Sequence, residues 1–450
     1  MTSPMTLPTS SNPRILSRSE HPISRKSIDA DVLRSMYRLR HEGYDVYLVG
    51  GAVRDFLRGV EPKDFDLATN ATPMELRRIF RASRIIGRRF RIVHLYFPGG
   101  KRIEVSTLRR QADAQETGET VEDDNCWGTV ETDSFRRDFT INALFYDLGD
   151  FSILDYTGGV EDLKQGIIRT VGDPMVRFVE DPVRMLRAIK FAARFGYSFD
   201  PATEDALRAL PEKILDASRA RVTEEIFRIL QQANRHQGME MLGRYGFLDH
   251  LFPTWMKAVG PEGLEQVIEF YDTVEKEARA GRHLPLEVLA AGLFLPMLDT
   301  VDPANGNFQD HAMYLTDEVR KIGHEMDLPR RLVHVIVTLL RGQLYLLYHA
   351  GRPKSVTRFV QSREFDWVWR LHDLAFGHIE ALHHIQERWL AAREALPTAL
   401  GGWSHVADLR DLYSFRGKDG GGRIDDGEVQ TILDTPHRIH ETEPRYPNRL

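Results

Sequence analysis

The short apolar run Asp45-Val46-Tyr47-Leu48-Val49 stops at Gly50-Gly51, and a second run, Lys63-Asp64-Phe65-Asp66-Leu67-Ala68, alternates charged and apolar residues. The first reads as a buried strand entering a tight turn and then a helix. The second has period two, which predicts a strand with Asp64 and Asp66 on one face. Strand, glycine turn, helix, acidic strand is the frame that the rest of the chain must fit. Two further strands are expected at Ile92 to Phe97 and Arg102 to Ser106, joined as a hairpin by Pro98-Gly99-Gly100.

This frame suits phosphoryl or nucleotidyl transfer. Two divalent cations about 3.5–4 Å apart neutralise the attacking and leaving oxygens, and carboxylates must hold them. Asp64 and Asp66 supply two, and Glu104, inside Arg102-Ile103-Glu104-Val105, is the best candidate for a third on a neighbouring strand. An exposed strand face also produces Asp-x-Asp, so context decides. Gly50 and Gly51 let backbone N–H groups approach triphosphate oxygens, with a helix start behind them.

Leu48-Val49-Gly50-Gly51-Ala52-Val53-Arg54-Asp55 followed by Asp64-x-Asp66 resembles the head motif of the DNA polymerase β-like nucleotidyltransferase superfamily. The branch is class II, which contains bacterial poly(A) polymerases and tRNA CCA-adding enzymes. Four more segments resemble its motifs in order: Arg136-Arg137-Asp138-Phe139-Thr140-Ile141-Asn142-Ala143, Asp155-Tyr156-Thr157-Gly158-Gly159, Glu180-Asp181-Pro182-Val183-Arg184 and Arg221-Val222-Thr223-Glu224-Glu225. Ile85-Ile86-Gly87-Arg88-Arg89-Phe90-Arg91-Ile92-Val93-His94-Leu95 is similar to the poly(A) polymerase signature within the branch.

The resemblance implies an α+β chain: a small mixed-sheet nucleotidyltransferase head, then an all-α neck, body and tail. It implies a polynucleotide adenylyltransferase that adds AMP from ATP to RNA 3′ ends with two Mg²⁺ ions, Mn²⁺ being the substitute. In that reading Asp64, Asp66 and Glu104 hold the metal. Gly50, Gly51, Arg54, Arg137, Asp138, Asn142 and Arg187 bind the nucleotide, Asp181 and Arg184 read its base, and Arg88, Arg89 and Arg91 grip RNA. Asp181 can accept from a base amino group and Arg184 can donate to a ring nitrogen; alone, they would form a helical ion pair. The motifs are shared with tRNA CCA-, CC- or A-adding enzymes, so a partial or full CCA product on tRNA stays open, as does an RNA-binding protein that has lost catalysis.

Composition bounds the setting. A net charge of -6 provides no general attraction to nucleic acid. From Arg81 to Arg110, however, nine basic residues stand against the single acid Glu104. One cysteine, Cys126, excludes an intramolecular disulfide and a Cys-rich zinc site and suits a reducing cytoplasm. The greasy stretch Leu286 to Leu298 is too short and too interrupted for a membrane span. The expected organisation is a disordered leader at 1–26, a head at 27–160 with a mobile loop at about 111–133, and a helical neck at 161–235. A helical RNA-binding body and tail follow at 236–415, then a disordered tail at 416–450. His372-Asp373, His378, His383 and His384 lack the spacing of a His-Asp hydrolase site, the remaining enzyme alternative. No protein partner is indicated.

Overall fold

The computed structural model describes residues 12–87, 91–110, 127–301, 306–362 and 364–395. The head contains β1 (Arg14–Leu16), α1 (Ala30–His41), β2 (Val46–Val49), α2 (Gly51–Leu57), β3 (Asp66–Thr69), α3 (Pro73–Ile79) and β4 (Ser83–Ile86). It continues through β5 (Ile92–Tyr96), β6 (Arg102–Thr107), α4 (Val130–Arg136), β7 (Leu144–Asp147) and β8 (Ile153–Asp155). These eight strands form one sheet in the order β1-β8-β7-β2-β3-β6-β5-β4. The β3–β6 pair is parallel, and every other pair in this sheet is antiparallel.

Local chemistry sets several helix starts. The Asp29 carboxylate accepts the N–H groups of Asp31 and Val32 at the head of α1, and Thr72 with Glu75 forms a capping box on α3. Register partners share a face of the sheet. Leu48, Leu67, Val105 and Val93 lie in one row and belong to the core beneath α1, α2 and α3. The adjacent row runs Phe145, Val49, Asp66, Glu104, His94 and Arg84 across five neighbouring pairings. On that opposite face the buried apolar cluster is small, comprising Val49, Ala68, Leu108, Val130 and Phe145, with Tyr47, Leu154 and Tyr156 packed against it.

The neck begins with α5 (Gly159–Gln165), the short parallel pair β9 (Ile167–Ile168) and β10 (Ser198–Phe199), α6 (Pro174–Glu180) and α7 (Val183–Phe195). It continues with α8 (Pro201–Ala209) and α9 (Arg219–Gln231). Further helices extend to Glu394. The helix Arg330–His349 is long and apolar enough to cross a membrane by length and composition, but 56 % of its most apolar window is buried. It packs against Leu286–Gly292, Phe308–Glu325 and Phe365–Phe376 as a core helix.

Three sequence expectations require correction. The leader does not run to residue 26: β1 pairs with β8, the His21 Nε2 lies 2.8 Å from the Phe151 carbonyl, and Ile23 is fully buried. The chain has enough apolar side chains there to dock on the edge of the sheet. The loop expected at 111–133 ends earlier, because Thr129 and Thr132 make a capping box that starts α4 at Val130; residues 111–126 lie outside the described residues. The acidic strand starts at Asp66, with Asp64 in the approach to it, although the alternating exposure of Asp64 and Asp66 holds. The tail at 416–450 lies outside the described residues.

Candidate active site

The turn after β2 requires glycine. Gly50 has φ +65°, and a Cβ there would meet the Arg137 guanidinium at 3.3 Å; a Cβ on Gly51 would meet the Arg54 guanidinium at 3.5 Å. The turn is therefore flanked by two guanidinium groups at van der Waals range. Arg137 is held in place by Asp133 at 3.0 Å and lies over the Phe145 ring, 4.7 Å from its centre. That ring stands in the same cross-sheet row as Asp66.

Asp66 and Glu104 are direct partners on the parallel strands β3 and β6, so their side chains leave the sheet on the same side. Asp66 reaches solvent, yet it is crowded by protein. That crowding and the Glu104 and Asp64 carboxylates push it up to about 6, against the pull of Arg137. Three carboxylates thus share one patch with excess negative charge. Among the described residues no three His, Cys, Asp or Glu side chains are gathered tightly enough to close on an ion as they stand. The donor set nevertheless fits a hard divalent cation, since it is all carboxylate oxygen and its mutual repulsion is what such an ion relieves. His372, by contrast, is a buried core residue facing Gln343 at 3.0 Å, and among the described residues no group of three ligating side chains gathers around it as the hydrolase alternative would need.

Next to the carboxylates, a cavity of about 230 Å³ is lined by Ile92, Ser106, Thr107, Arg109, Asp133, Arg136 and Arg137. Its three arginines against one aspartate suit an anion. Arg109 and Arg136 were not singled out from the sequence as site residues. Arg109 lies within the basic run and Arg136 immediately before Arg137, but charge density alone does not tell which members of a run turn inward. Arg91 is exposed, whereas Arg88 and Arg89 lie outside the described residues.

Arg54, Asn142, Asp138 and Arg187 come together through hydrogen bonds to one another. The Arg54 guanidinium is buried, paired with Asp55 at 2.9 Å and donating to the Asn142 side-chain oxygen at 2.6 Å. The Asn142 amide nitrogen donates to Asp138 at 3.1 Å, and Arg187 of α7 donates to the other Asp138 oxygen at 2.8 Å. Burial alone would push Asp138 up. The Arg187 charge and the hydrogen bonds from Asn142, Arg187 and the Phe139 N–H overcome that and bring it down to about 2. These hydrogen bonds form a chain from α2 to the neck. Arg54 and Arg58 also lie over the Phe195 ring of α7, at 4.8 Å and 4.1 Å.

At the neck end the Arg184 N–H donates to the Asp181 carbonyl at 3.0 Å, but the two side chains do not pair with each other. Asp181 accepts from Arg221 at 2.9 Å through Oδ2, while its Oδ1 is buried with no hydrogen-bond partner among the described residues. Arg184 donates to the Arg177 carbonyl at 2.9 Å, and Arg177 itself donates to the carbonyls of Arg136 and Arg137 at 2.7 Å and 3.0 Å. The segment carrying Asp181 is thereby tied to the backbone that presents Arg137.

A carboxylate pair on adjacent strands, a guanidinium-flanked glycine turn and a helical neck packed on the head define a nucleotidyltransferase. Comparison with known proteins bears this out. Residues 46–169 match the poly A polymerase head domain, and residues 196–258 match the probable RNA and SrmB-binding site of polymerase A. Poly(A) polymerase I of Salmonella typhimurium is 36 % identical over 357 residues, covering 75 % of this chain and 77 % of that protein. The CC-adding tRNA nucleotidyltransferase of Halalkalibacterium halodurans is 38 % identical over 214 residues, 47 % of this chain and 52 % of that one. Among solved structures, the Bacillus stearothermophilus CCA-adding enzyme in complex with CTP matches with a TM-score of 0.59 at 26 % identity, over 80 % of this chain and 82 % of that one. The chain belongs to the poly(A) polymerase I family and is a polynucleotide adenylyltransferase.

Proposed function

We propose that the enzyme transfers AMP from ATP to the 3′-hydroxyl of cytoplasmic RNA, in mRNA and other transcript processing, through Asp64, Asp66 and Glu104. The observation that carries this reading is the in-register pairing of Asp66 with Glu104, with Asp64 close enough to raise Asp66 further. Two Mg²⁺ ions, or Mn²⁺ in their place, held by these carboxylates would supply the positive charge that activates the hydroxyl and steadies the departing pyrophosphate. Arg137 and the Gly50-Gly51 backbone position the triphosphate, and the arginine-lined cavity beside them takes phosphate oxygens. Arg54, Asn142, Asp138 and Arg187 act one step back, fixing the turn and the neck relative to each other. Arg88, Arg89 and Arg91 hold RNA phosphates. The head, which begins with β1 and runs to about residue 160, supplies the chemistry, the neck at 161–235 the base reading and the body from 236 the RNA hold.

In this reading Asp181 accepts an adenine amino hydrogen through Oδ1, which has no hydrogen-bond partner among the described residues, while Arg221 occupies the other oxygen. Asp181→Ala is expected to reduce the preference for ATP over GTP, whose base presents the acceptor O6 where adenine presents its amino group, by about 10-fold or more, the loss of one buried hydrogen bond to a charged group. Single-nucleotide incorporation assays measure this, and an unchanged preference removes Asp181 from base reading. The product is tested by offering each nucleotide separately with a tRNA lacking its 3′ end and with an unstructured RNA. Long A-tracts on the unstructured RNA are expected; a stop after one or three additions, confined to tRNA, would instead identify a CCA-type enzyme.

A further inference from the structure

The row that carries the metal carboxylates does not end at Glu104. His94 of β5 is the register partner of Glu104 on β6, as Glu104 is of Asp66 on β3, so the three side chains leave one face of the sheet side by side. The His94 Nε2 stands 3.3 Å from a Glu104 carboxylate oxygen. His94 is only 9 % exposed, and its Nε2 is sealed from solvent with no hydrogen-bond partner among the described residues. A buried ring nitrogen without a partner is costly, and the carboxylate is the acceptor within reach. Glu104 is the more exposed member: its side chain remains 42 % exposed, on a long stem, with no hydrogen bond to another side chain among the described residues.

We infer that His94 is a positioning residue for the metal site, its Nε2–H holding one Glu104 oxygen so that the other turns toward Asp66. The physical need is specific. A glutamate loses considerable side-chain freedom on coordinating an ion, and a donor that restricts the carboxylate in advance lowers that cost. Ligating carboxylates are commonly steadied by such an outer partner, and loss of one weakens metal binding about 10- to 100-fold. The Ile85–Leu95 segment, a conspicuous sequence feature, then has a task at the catalytic centre. It carries the second half of β4 and most of β5, and β5 brings His94 against Glu104.

This inference rests on the reading of Glu104 as a metal-binding carboxylate, and the experiment separates the two. Mn²⁺ binding is measured by electron paramagnetic resonance on the full chain without RNA or nucleotide, for wild type, Asp66→Asn, Glu104→Gln, His94→Leu and His94→Gln. His94→Gln keeps an N–H donor near the Nε2 position, whereas His94→Leu removes it at similar bulk. Expected are a near-complete loss in Asp66→Asn, a loss of about 10- to 100-fold in Glu104→Gln and in His94→Leu, and recovery to within about 3-fold in His94→Gln. In addition, His94→Leu is expected to raise the Mg²⁺ concentration for half-maximal AMP incorporation while leaving KM for ATP at saturating Mg²⁺ within about 2-fold. Wild-type Mn²⁺ affinity in His94→Leu, with Glu104→Gln impaired, overturns the role of His94 alone. Wild-type affinity in Glu104→Gln overturns the reading beneath it. Equal losses in His94→Leu and His94→Gln also overturn the inference, since the donor would then be irrelevant; thermal melts establish that each variant is folded.

Discussion

Asp66→Asn is expected to lower AMP incorporation by at least about 10³-fold, or ~4 kcal/mol of transition-state stabilisation, while making the metal-free protein more stable. Both effects have the same origin. Asp66 sits among protein atoms beside Glu104 and Asp64 and is raised from 3.8 to about 6, so its charged form is disfavoured in the fold. The sign follows from linkage. Below pH 4 the group is protonated whether folded or unfolded and costs nothing; as pH rises through 6 the folded protein must carry a charge that the unfolded chain carries more easily. After allowance for the solvent that reaches Asp66, the penalty above pH 6 is about 1 kcal/mol. Thermal melts in chelator at pH 8 are expected to show Asp66→Asn above wild type, the difference disappearing near pH 4. An Asp66→Asn enzyme within tenfold of wild-type activity, or one less stable than wild type at pH 8, defeats this account.

Asp138→Asn is expected to act in the opposite sense on stability. Here the carboxylate is brought from 3.8 down to about 2, and the contribution is fully present above pH 4 and lost as pH falls through 2. The ionisation alone is worth roughly 2 kcal/mol at neutral pH, and leaving Arg187 without its partner brings the total nearer 3–5 kcal/mol. Arg187 also lies 3.7 Å from Glu225, which is itself paired with Lys190, so the loss would be felt along α7 and α9. Denaturant unfolding at pH 7 and pH 2.5 measures the difference, which should shrink markedly at the lower pH. Arg187→Gln combined with Asp138→Asn should cost less than the two single changes added together, because each single variant strands a charged or polar partner. Additive losses, or an Asp138→Asn effect independent of pH, would mean that the pair does not join head to neck.

These two predictions mark the limit of legibility in the primary structure. Asp64, Asp66, Gly50 and Gly51 could be assigned because each announces itself locally, through period-two alternation or through a turn that needs positive φ. Glu104 could be placed on a neighbouring strand by the same alternation and the hairpin signal. Arg54, Asn142, Asp138 and Arg187 could be named as belonging to motifs, but not given their partners. Arg54 meets Asn142 across 88 positions of chain, and Asp138 meets Arg187 across 49, so no local periodicity reports either contact. For the same reason the helical alternative of an Asp181–Arg184 pair was reasonable and incorrect: Arg221, 40 positions away, takes the aspartate instead.

The leader and the acidic loop failed in a different way. Composition predicted disorder up to residue 26 and from 111 to 133, yet residues 14–16 complete a sheet edge and Val130–Arg136 forms a capped helix. Short segments gain order from the surface they dock on, which average polarity does not describe.

The amino-acid sequence by itself pointed to the chemistry: a glycine turn, two aspartates at alternating positions and further motifs in order resemble a nucleotidyltransferase, the class to which the chain belongs. Only the tertiary structure decided which charges line the cavity and which pair with each other. Charge and spacing are properties of a segment, whereas desolvation and pairing depend on what other segments bring within about 4 Å. Asp66 and Asp138 are the same residue type, and the fold pushes one up to about 6 beside carboxylates and brings the other down to about 2 beside an arginine.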